Sequence, residues 1–305
     1  MSKISSRGRL TALTSTIGVL VGLTAVVAVA AAPAAARPAP ADRAAVAASV
    51  VRFNAIWEPG GDGRPTAHTH TASQLLQRNS ELFDLGYRID SLTQVKLDNG
   101  ELRYDAIWKP GTGVSPFVVG WTEAQFFAQN SVYWAQGLRV WRINRYLHNG
   151  AILYDAIWKP GTDGRRFVVD WTLAAFRAED TRMRAQGYRL IQASGVNQSG
   201  STSGDIRYIG IWMPGTDLRP TILGATWDEM IQANSNNWAI GYRIKYLNVY
   251  RTVGGALRYD AIWEPGSDGR PSVTAWTFPE LMAKNGEMWA AGYRMTVVQP
   301  YLNYN

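Results

Sequence analysis

The most informative absence in this 305-residue chain is cysteine, of which it has none. Without thiols, the chain has no disulfide, no Cys-ligated zinc, no thiol nucleophile and no lipidated cysteine anchor. Only 3 histidines are present, so a His-rich metal site or a catalytic triad has few candidates. The charge is modest, with 31 Lys and Arg against 24 Asp and Glu. Together with 11% aromatic residues, this composition excludes a disordered chain and predicts a large buried core.

The first 36 residues have the pattern of an export signal. Three basic residues precede an apolar run over 17–32, and the alanines at 34–36 supply a small-residue cleavage motif. We predict a cleaved signal peptide at 1–36 and a linker at 37–50, with a retained membrane anchor as the alternative. Because the signal holds three positive charges and no acid, the remainder is weakly basic, which speaks against nucleic-acid binding. We therefore expect an extracellular protein without a stable membrane span after cleavage.

Residues 51–305 consist of five copies of a repeat of about 50 residues. An Ala-Ile-Trp-type box ends at the five box tryptophans, which are Trp57, Trp108, Trp158, Trp212 and Trp263. The repeated glycines, each 29 residues after a box tryptophan, open a Gly-Tyr-Arg or Gly-Leu-Arg motif and are Gly86, Gly137, Gly187, Gly241 and Gly292. A constant spacing in all five copies indicates a repeat architecture.

Each repeat also carries the start and stop signals of one helix. A threonine lies 14 residues after each box tryptophan, at Thr71, Thr122, Thr172, Thr226 and Thr277. Four of these threonines have Gln or Glu three residues later, the pattern of a capping box at a helix start. The repeated glycines are expected in the left-handed conformation that ends the helix. An Asn-Gly or Gly-Gly turn then predicts a hairpin into the next box, expanded in one copy to a loop over 194–204.

These elements predict an α+β fold of five tandem units, each a β-meander with one helix. The first box strand and the last strand, 293–298, each lack the partner that internal copies have. Pairing the two ends would close the array into a propeller-like toroid without open strand edges, which predicts a monomer. An open solenoid is the alternative.

The Gly-Tyr-Arg, Tyr-Asp-Ala-Ile-Trp and Thr-capped helix motifs resemble those of the bacterial tandem repeat domain, which is similar to the N-terminal region of fungal polyglycine hydrolases. The resemblance covers residues 51–305. In those enzymes the catalytic serine belongs to a separate β-lactamase-like domain with a Ser-x-x-Lys motif, and this sequence contains no Ser-x-x-Lys. The resemblance therefore implies the substrate-engaging repeats without the peptidase part, and we predict no catalytic residue.

Two sets of residues are candidates for binding. Eleven of the 13 tryptophans occupy repeat positions and are predicted to be core, whereas Trp141 and Trp227 break the repeat rule and are candidates for stacking on a ligand. Each repeat also has an arginine two residues after its glycine, at Arg88, Arg139, Arg189, Arg243 and Arg294. We expect these arginines to stack on a box tryptophan or to pair with Asp105, Asp155 and Asp260. If these arginines instead point to the centre of the closed toroid, they would form an anion-binding site, and Arg189 and Arg243 are the residues with which to test it.

Other polar positions have structural interpretations. His68 and His70 alternate along a strand without a third ligand nearby. Four of the five loops after the boxes offer one aspartate each, at Asp62, Asp163, Asp217 and Asp268. One carboxylate is far short of the 6–8 oxygen ligands that calcium takes, so we expect no metal or other cofactor. A polar residue in each helix is expected to bond the backbone of an adjacent strand, at Asn79, Asn130, Asp180, Asn234 and Asn285.

The sequence favours a secreted, non-catalytic repeat protein that binds an extracellular polymer, either a glycan or a Gly-rich peptide, through several weak contacts. One alternative is a secreted hydrolase or peptidase related to polyglycine hydrolases. Another is a structural cell-surface repeat protein, which would form oligomers.

Overall fold

Five helices of 13 residues recur along the chain in the computed structural model, which describes residues 50–197 and 206–303. The helices are α1 (Ala72–Asp84), α2 (Glu123–Ala135), α3 (Leu173–Ala185), α4 (Trp227–Ala239) and α5 (Phe278–Ala290). None of the helices in these two described ranges is long and apolar enough to cross a bilayer. The predicted signal peptide and all but the last residue of the predicted linker lie outside the described residues.

Three kinds of strand accompany the helices. A short strand precedes each helix: β2 (Thr66–His70), β5 (Phe117–Trp121), β8 (Arg166–Trp171), β11 (Thr221–Ala225) and β14 (Ser272–Trp276). A long strand follows each helix: β3 (Tyr87–Lys96), β6 (Leu138–His148), β9 (Tyr188–Asn197), β12 (Tyr242–Arg251) and β15 (Tyr293–Asn303). The box strands are β1 (Val50–Pro59), β4 (Leu102–Pro110), β7 (Ala151–Pro160), β10 (Ile206–Pro214) and β13 (Leu257–Pro265).

The strands form five three-stranded antiparallel sheets, each with a box strand between a short and a long strand. We number them sheet 1 (β2-β4-β3), sheet 2 (β5-β7-β6), sheet 3 (β8-β10-β9), sheet 4 (β11-β13-β12) and sheet 5 (β14-β1-β15). The predicted α+β class with five units is confirmed, but a simple meander is wrong. Only the long strand and the box strand form a hairpin. The helix carries the chain from the short strand to the long strand on the far side of the sheet, and the box strand that follows lies between these two strands.

The central place of the box strand explains its composition. Five consecutive residues of β7, from Tyr154 to Trp158, are buried, so both faces of the strand are covered. Its backbone pairs with β5 on one side and β6 on the other. The short strands, by contrast, remain at one edge of every sheet. The sequence-based expectation of no open strand edge is therefore wrong, since a short strand forms one edge of each sheet.

The first box strand completes the last sheet. β1 pairs with both β14 and β15, and Ala55 lies opposite Val298 in this ladder. The predicted pairing of the two ends of the repeat region is therefore observed. Each of the other box strands lies in the sheet that carries the helix preceding it in the chain. The first box strand, which no helix precedes within the described residues, lies in the sheet that carries the last helix, α5.

The helix boundaries follow from their caps. The side chain of each repeated threonine accepts a bond from the backbone at the third helical residue, and four of the five caps are complete capping boxes. The repeated glycines follow the helices with φ between +76° and +84°, a conformation that costs glycine little. The chain therefore leaves every helix in the same direction and enters the long strand at the same place.

The polar residue of each helix binds the box tryptophan rather than strand backbone. All five box tryptophans are fully buried, so each indole N–H needs an acceptor. Trp158 donates to Asn130 at 2.9 Å, and Trp212 donates to Asp180 at 2.8 Å. Equivalent bonds join Trp57 to Asn285, Trp108 to Asn79 and Trp263 to Asn234. The expected backbone partner was wrong, and the bond instead fixes each helix on its own sheet.

Isoleucines of the boxes connect one unit to another. The isoleucine before each box tryptophan is fully buried and points to the opposite face of the strand. Ile157 of sheet 2 packs with Leu75 and Trp108 of the first unit. In the same way, Ile211, Ile262 and Ile56 enter the cores of the second, third and fourth units. Ile107 of sheet 1 packs in the core of the fifth unit, with Trp57.

The predicted expanded loop is shorter than the sequence suggests. Its first residues, Ser194–Asn197, continue β9 and pair with β10, where Asn197 lies opposite Ile206. The rest of the loop, 198–205, lies outside the described residues.

We predict that Asn130→Leu destabilises the protein by about 1–3 kcal/mol, because the buried indole N–H of Trp158 loses its acceptor. Asn130→Asp is the matched variant, since Asp180 accepts the equivalent indole N–H bond from Trp212 in the third unit. The Asn130→Asp variant should lose clearly less free energy of unfolding than Asn130→Leu. Urea unfolding of both variants and the parent measures the difference. Equal losses in the two variants would contradict this role of Asn130.

Candidate functional site

Four of the five repeated arginines lie beside the aromatic residues that end the helices. In α2, the guanidinium carbon of Arg139 lies 3.6 Å from the ring centroid of Trp134. The same stacking joins Arg88 to Phe83 at 3.5 Å, and Arg243 to Trp238 and Arg294 to Trp289 at 3.6 Å each. We call each arginine with its stacked ring a platform. The expected partners, a box tryptophan or a box aspartate, were wrong because the box residues are buried on their own strands.

Hydrogen bonds hold each platform arginine in place. Arg139 donates from Nε to the carbonyl of Asp163 at 2.7 Å and from Nη1 to the carbonyl of Trp134 at 3.0 Å. Arg243 makes the equivalent bonds to Asp268 and Trp238. The arginine therefore ties the end of the helix to the loop after the box strand, and its planar group fixes the position of the ring.

The platform rings remain exposed although they are large and apolar. Trp134, Trp238 and Trp289 are 40%, 43% and 44% exposed, and Phe83 is 43% exposed. Seven residues earlier on each of these helices is a second exposed apolar side chain: Leu76, Phe127, Ile231 and Met282. Residues seven apart lie on the same helix face, so four helices present an equivalent apolar stripe to solvent.

The third unit differs from the other four. Arg177 and Arg184 replace the exposed apolar residue and the aromatic residue on α3. Arg184 pairs with Asp180 at 2.7 Å and donates to the carbonyl of Arg219. Arg189 accordingly has no ring to stack on and forms a salt bridge with Asp217 instead. Of the two arginines that we singled out from sequence, Arg243 thus belongs to a platform and Arg189 does not.

The two candidate tryptophans have different environments. Trp141 is partly buried, donates its indole N–H to the carbonyl of Asp90 at 3.0 Å, and has the Lys159 ammonium 4.4 Å from its ring centroid. Trp227 is the first residue of α4 and is 39% exposed, with its ring 5.4 Å from that of Tyr259. Neither residue lies in a platform. Their proposed role in binding stays a prediction.

The loop carboxylates pair with arginines of their own loops. Asp163 contacts Arg165 at 2.9 Å, and the same pairing at 2.8–3.0 Å joins Asp62 to Arg64, Asp217 to Arg219 and Asp268 to Arg270. His68 contacts Asp105 through Nδ1 at 2.8 Å, and His70 binds the carbonyl of His68. Within ranges 50–197 and 206–303, no group of three or more His, Asp or Glu residues is arranged to hold a metal ion.

The box aspartates accept backbone hydrogen bonds inside the protein. Asp155 is fully buried, and its Oδ1 accepts from Gly120 N and the Tyr146 hydroxyl, both at 2.8 Å. Burial raises the pKa of Asp155 to about 7, although both hydrogen bonds oppose this effect. Burial likewise raises the pKa of Asp260 to about 6. Asn54 occupies this position in β1 and accepts from Ala275 N at 3.2 Å, so the position needs an acceptor rather than a charge.

Comparison with known proteins identifies the repeat. Three segments, 65–110, 168–214 and 221–266, match the family model of the polyglycine hydrolase-like structural repeat. Each match covers nearly one whole sheet with its helix, beginning at or near the short strand and ending with the box strand. The family resemblance inferred from the sequence motifs is therefore confirmed for three of the five repeats. The chain matches no curated protein and no solved structure.

We predict that Asp155→Asn becomes more stable relative to the parent as the pH rises. A pKa of about 7 in the folded protein, above the unfolded value of about 3.9, means that protonated Asp155 contributes stability below pH 4, which is lost as the pH rises through 7. Urea midpoints at intervals from pH 4 to pH 8 measure the difference.

The control for this pH series is Asp84→Asn at an exposed position. The difference in urea midpoint between Asp84→Asn and the parent should not grow with pH as it does for Asp155→Asn. A difference between Asp155→Asn and the parent that stays constant from pH 4 to pH 8 would contradict the assignment.

Proposed function

We propose that the protein is a secreted, non-catalytic repeat protein whose platforms bind an extracellular glycan polymer. The observation that carries this proposal is the exposure of an arginine-backed aromatic ring at the same position of four helices. Aromatic rings stack on the apolar faces of sugar rings, and an arginine that already holds the ring reduces the ordering cost of binding.

Repetition favours a polymer over a small ligand. One platform offers a single weak contact, but four copies on one chain engage a repeating ligand with a combined affinity far above that of one contact. Exposed tryptophans on a helix face are otherwise a liability in water, because an apolar patch promotes association. A Gly-rich peptide is the alternative polymer, suggested by the polyglycine hydrolase-like repeats. A flat ring holds a sugar ring more fully than it holds glycine, which has no side chain to stack.

The cellular setting is part of this proposal. The basic, apolar and small-residue order of 1–36 supports export, after which no membrane span is expected. The weak net charge of the remainder argues against a nucleic-acid partner. A monomer is favoured because the open edge of each sheet is a strand of only 5 or 6 residues whose pairing register is interrupted.

We further propose that the five sheets close into a propeller-like toroid rather than an open solenoid. Three observations support closure. The first box strand is the central strand of sheet 5, and Ile107 of sheet 1 packs in the core of the fifth unit. A side-chain bond from Thr93 to the carbonyl of Val298 joins the same two units at 3.1 Å. Closure would place the platforms at regular intervals around one rim.

We predict that replacing Trp134, Trp238 and Trp289 together by alanine lowers retention on an insoluble glycan at least tenfold. The three rings supply most of the exposed stacking area of the platforms, and their loss leaves the core tryptophans untouched. A pull-down of purified 37–305 on chitin and on isolated cell-wall glycans, with a polyglycine peptide as competitor, measures the loss.

The control for this experiment replaces two other exposed apolar residues, Leu218 and Val253, which lie outside the helices. Far-ultraviolet circular dichroism and a thermal melt establish that both variants fold. Unchanged retention of the triple variant would contradict binding by the platforms. Mass spectrometry of the same supernatants separates binding from hydrolysis, because released fragments would overturn the non-catalytic assignment.

A further inference from the structure

All five long strands line one cavity. Its volume is about 280 Å³, and it is open to solvent at the end of the long strands. A second cavity of about 20 Å³ lies deeper along the same strands and shares Asn144 and Gln299 with the first. The two cavities are therefore adjacent layers of one axial site. The deeper layer has room for one or two water-sized groups, and the outer layer for a ring of monosaccharide size.

Arg142 is the one charged residue in a set of five equivalent positions that surround the deeper cavity. These positions, each five residues after a repeated glycine, are Ser91, Arg142, Gln192, Tyr246 and Val297. The guanidinium donates from Nη1 to the carbonyl of Trp141 at 2.8 Å. It forms no salt bridge with a carboxylate in the part of the chain that the structure describes.

The surroundings of Arg142 include the rings of Trp141 and Tyr246, at 4.6 and 5.8 Å, but the described residues offer its charge no free carboxylate. The nearest acid acting on it is Asp90, but Lys109 and Lys159 already bind both carboxylate oxygens of Asp90 and hold its pKa well below the usual range. Burial lowers the pKa of Arg142, an effect that Asp90 only partly opposes. The guanidinium is partly buried and lies 4.6 Å from the ring centroid of Trp141, so an anion bound beside it would give the charge a carboxylate partner that the described residues do not supply.

The rest of the lining is mixed and contains no acid: apolar residues such as Val95 and Val249 alternate with polar ones, and the outer cavity also has the basic residues Lys96, Arg145 and Arg251. Among described residues, no Asp or Glu lines either cavity, whereas amides and hydroxyls come from Asn144, Asn248, Gln299 and Tyr301. Amide and hydroxyl side chains both donate and accept, which suits a ligand rich in hydroxyl groups. The guanidinium fork suits a carboxylate, which it binds with two parallel bonds.

We propose that this axial site binds a small carboxylated, hydroxyl-rich molecule of the sugar-acid class, with its carboxylate at Arg142 and its ring in the outer cavity. The neutral hydroxyls of the ligand contact the amides of Asn144, Asn248 and Gln299. The site is separate from the platforms, because its lining belongs to the five long strands and the box strand β10, and not to the helices.

The experiment is isothermal titration of the full repeat region with glucuronate at constant ionic strength. Glucuronate is expected to bind, and Arg142→Gln is expected to weaken this binding at least tenfold. Gln192 occupies the equivalent position in β9, so glutamine is compatible with the fold, which a thermal melt verifies. The matched control is Arg78→Gln on the exposed face of α1, which should leave glucuronate binding unchanged.

Three ligands probe the parent protein without relying on any variant. Glucuronamide, which has an amide in place of the carboxylate, and glucose should each bind at least tenfold more weakly than glucuronate. Sodium chloride should not displace glucuronate at equal ionic strength. Absence of glucuronate binding, equal binding of glucuronamide or glucose, complete displacement by chloride, or full binding by a folded Arg142→Gln variant would each overturn the proposal.

Discussion

The alternation of side chains along the box strand is the constraint on which the rest of the structure depends. Successive residues of a strand point to opposite faces, so a box tryptophan enters the core of its own unit while the isoleucine before it enters another. Neither face of the strand can then be solvated, which requires each unit to have a neighbour on the isoleucine side. Units of this kind are stable only together, as in other repeat proteins.

The functional surfaces follow from the same arrangement. Because the indole N–H of each box tryptophan binds a helix residue, every helix sits at the same height on its sheet, and its last turn meets the arginine that begins the long strand. Four units use this meeting point to expose a stacked ring, and the third unit uses it for salt bridges. The long strands of all five units together line cavities that no single unit forms.

The local elements of this fold were predictable from sequence, whereas contacts between distant residues were not. Threonine caps, left-handed glycines and Asn-Gly turns act within a few residues, so their spacing predicted the helices and hairpins correctly. The position of the box strand in its sheet depends on pairing across a helix, and a meander was the wrong inference. The polar residue of each helix, Asn or Asp, carried a usable signal. In four helices it lies 28–32 residues before the box tryptophan whose indole N–H it accepts, and Asn285 of the last helix accepts from the first box tryptophan. The axial cavity carried none, because its lining comes from five strands.

The most direct test of this account compares Ile107→Ala with Ile157→Ala by equilibrium urea unfolding. Both isoleucines are fully buried, and each packs in the core of another unit, Ile157 within the series and Ile107 across its two ends. Closure predicts that both variants lose the same free energy of unfolding, about 2–5 kcal/mol, and that each unfolds in one cooperative transition. A loss confined to Ile157→Ala, with Ile107→Ala close to the parent, would show that the ends do not meet and would contradict the account.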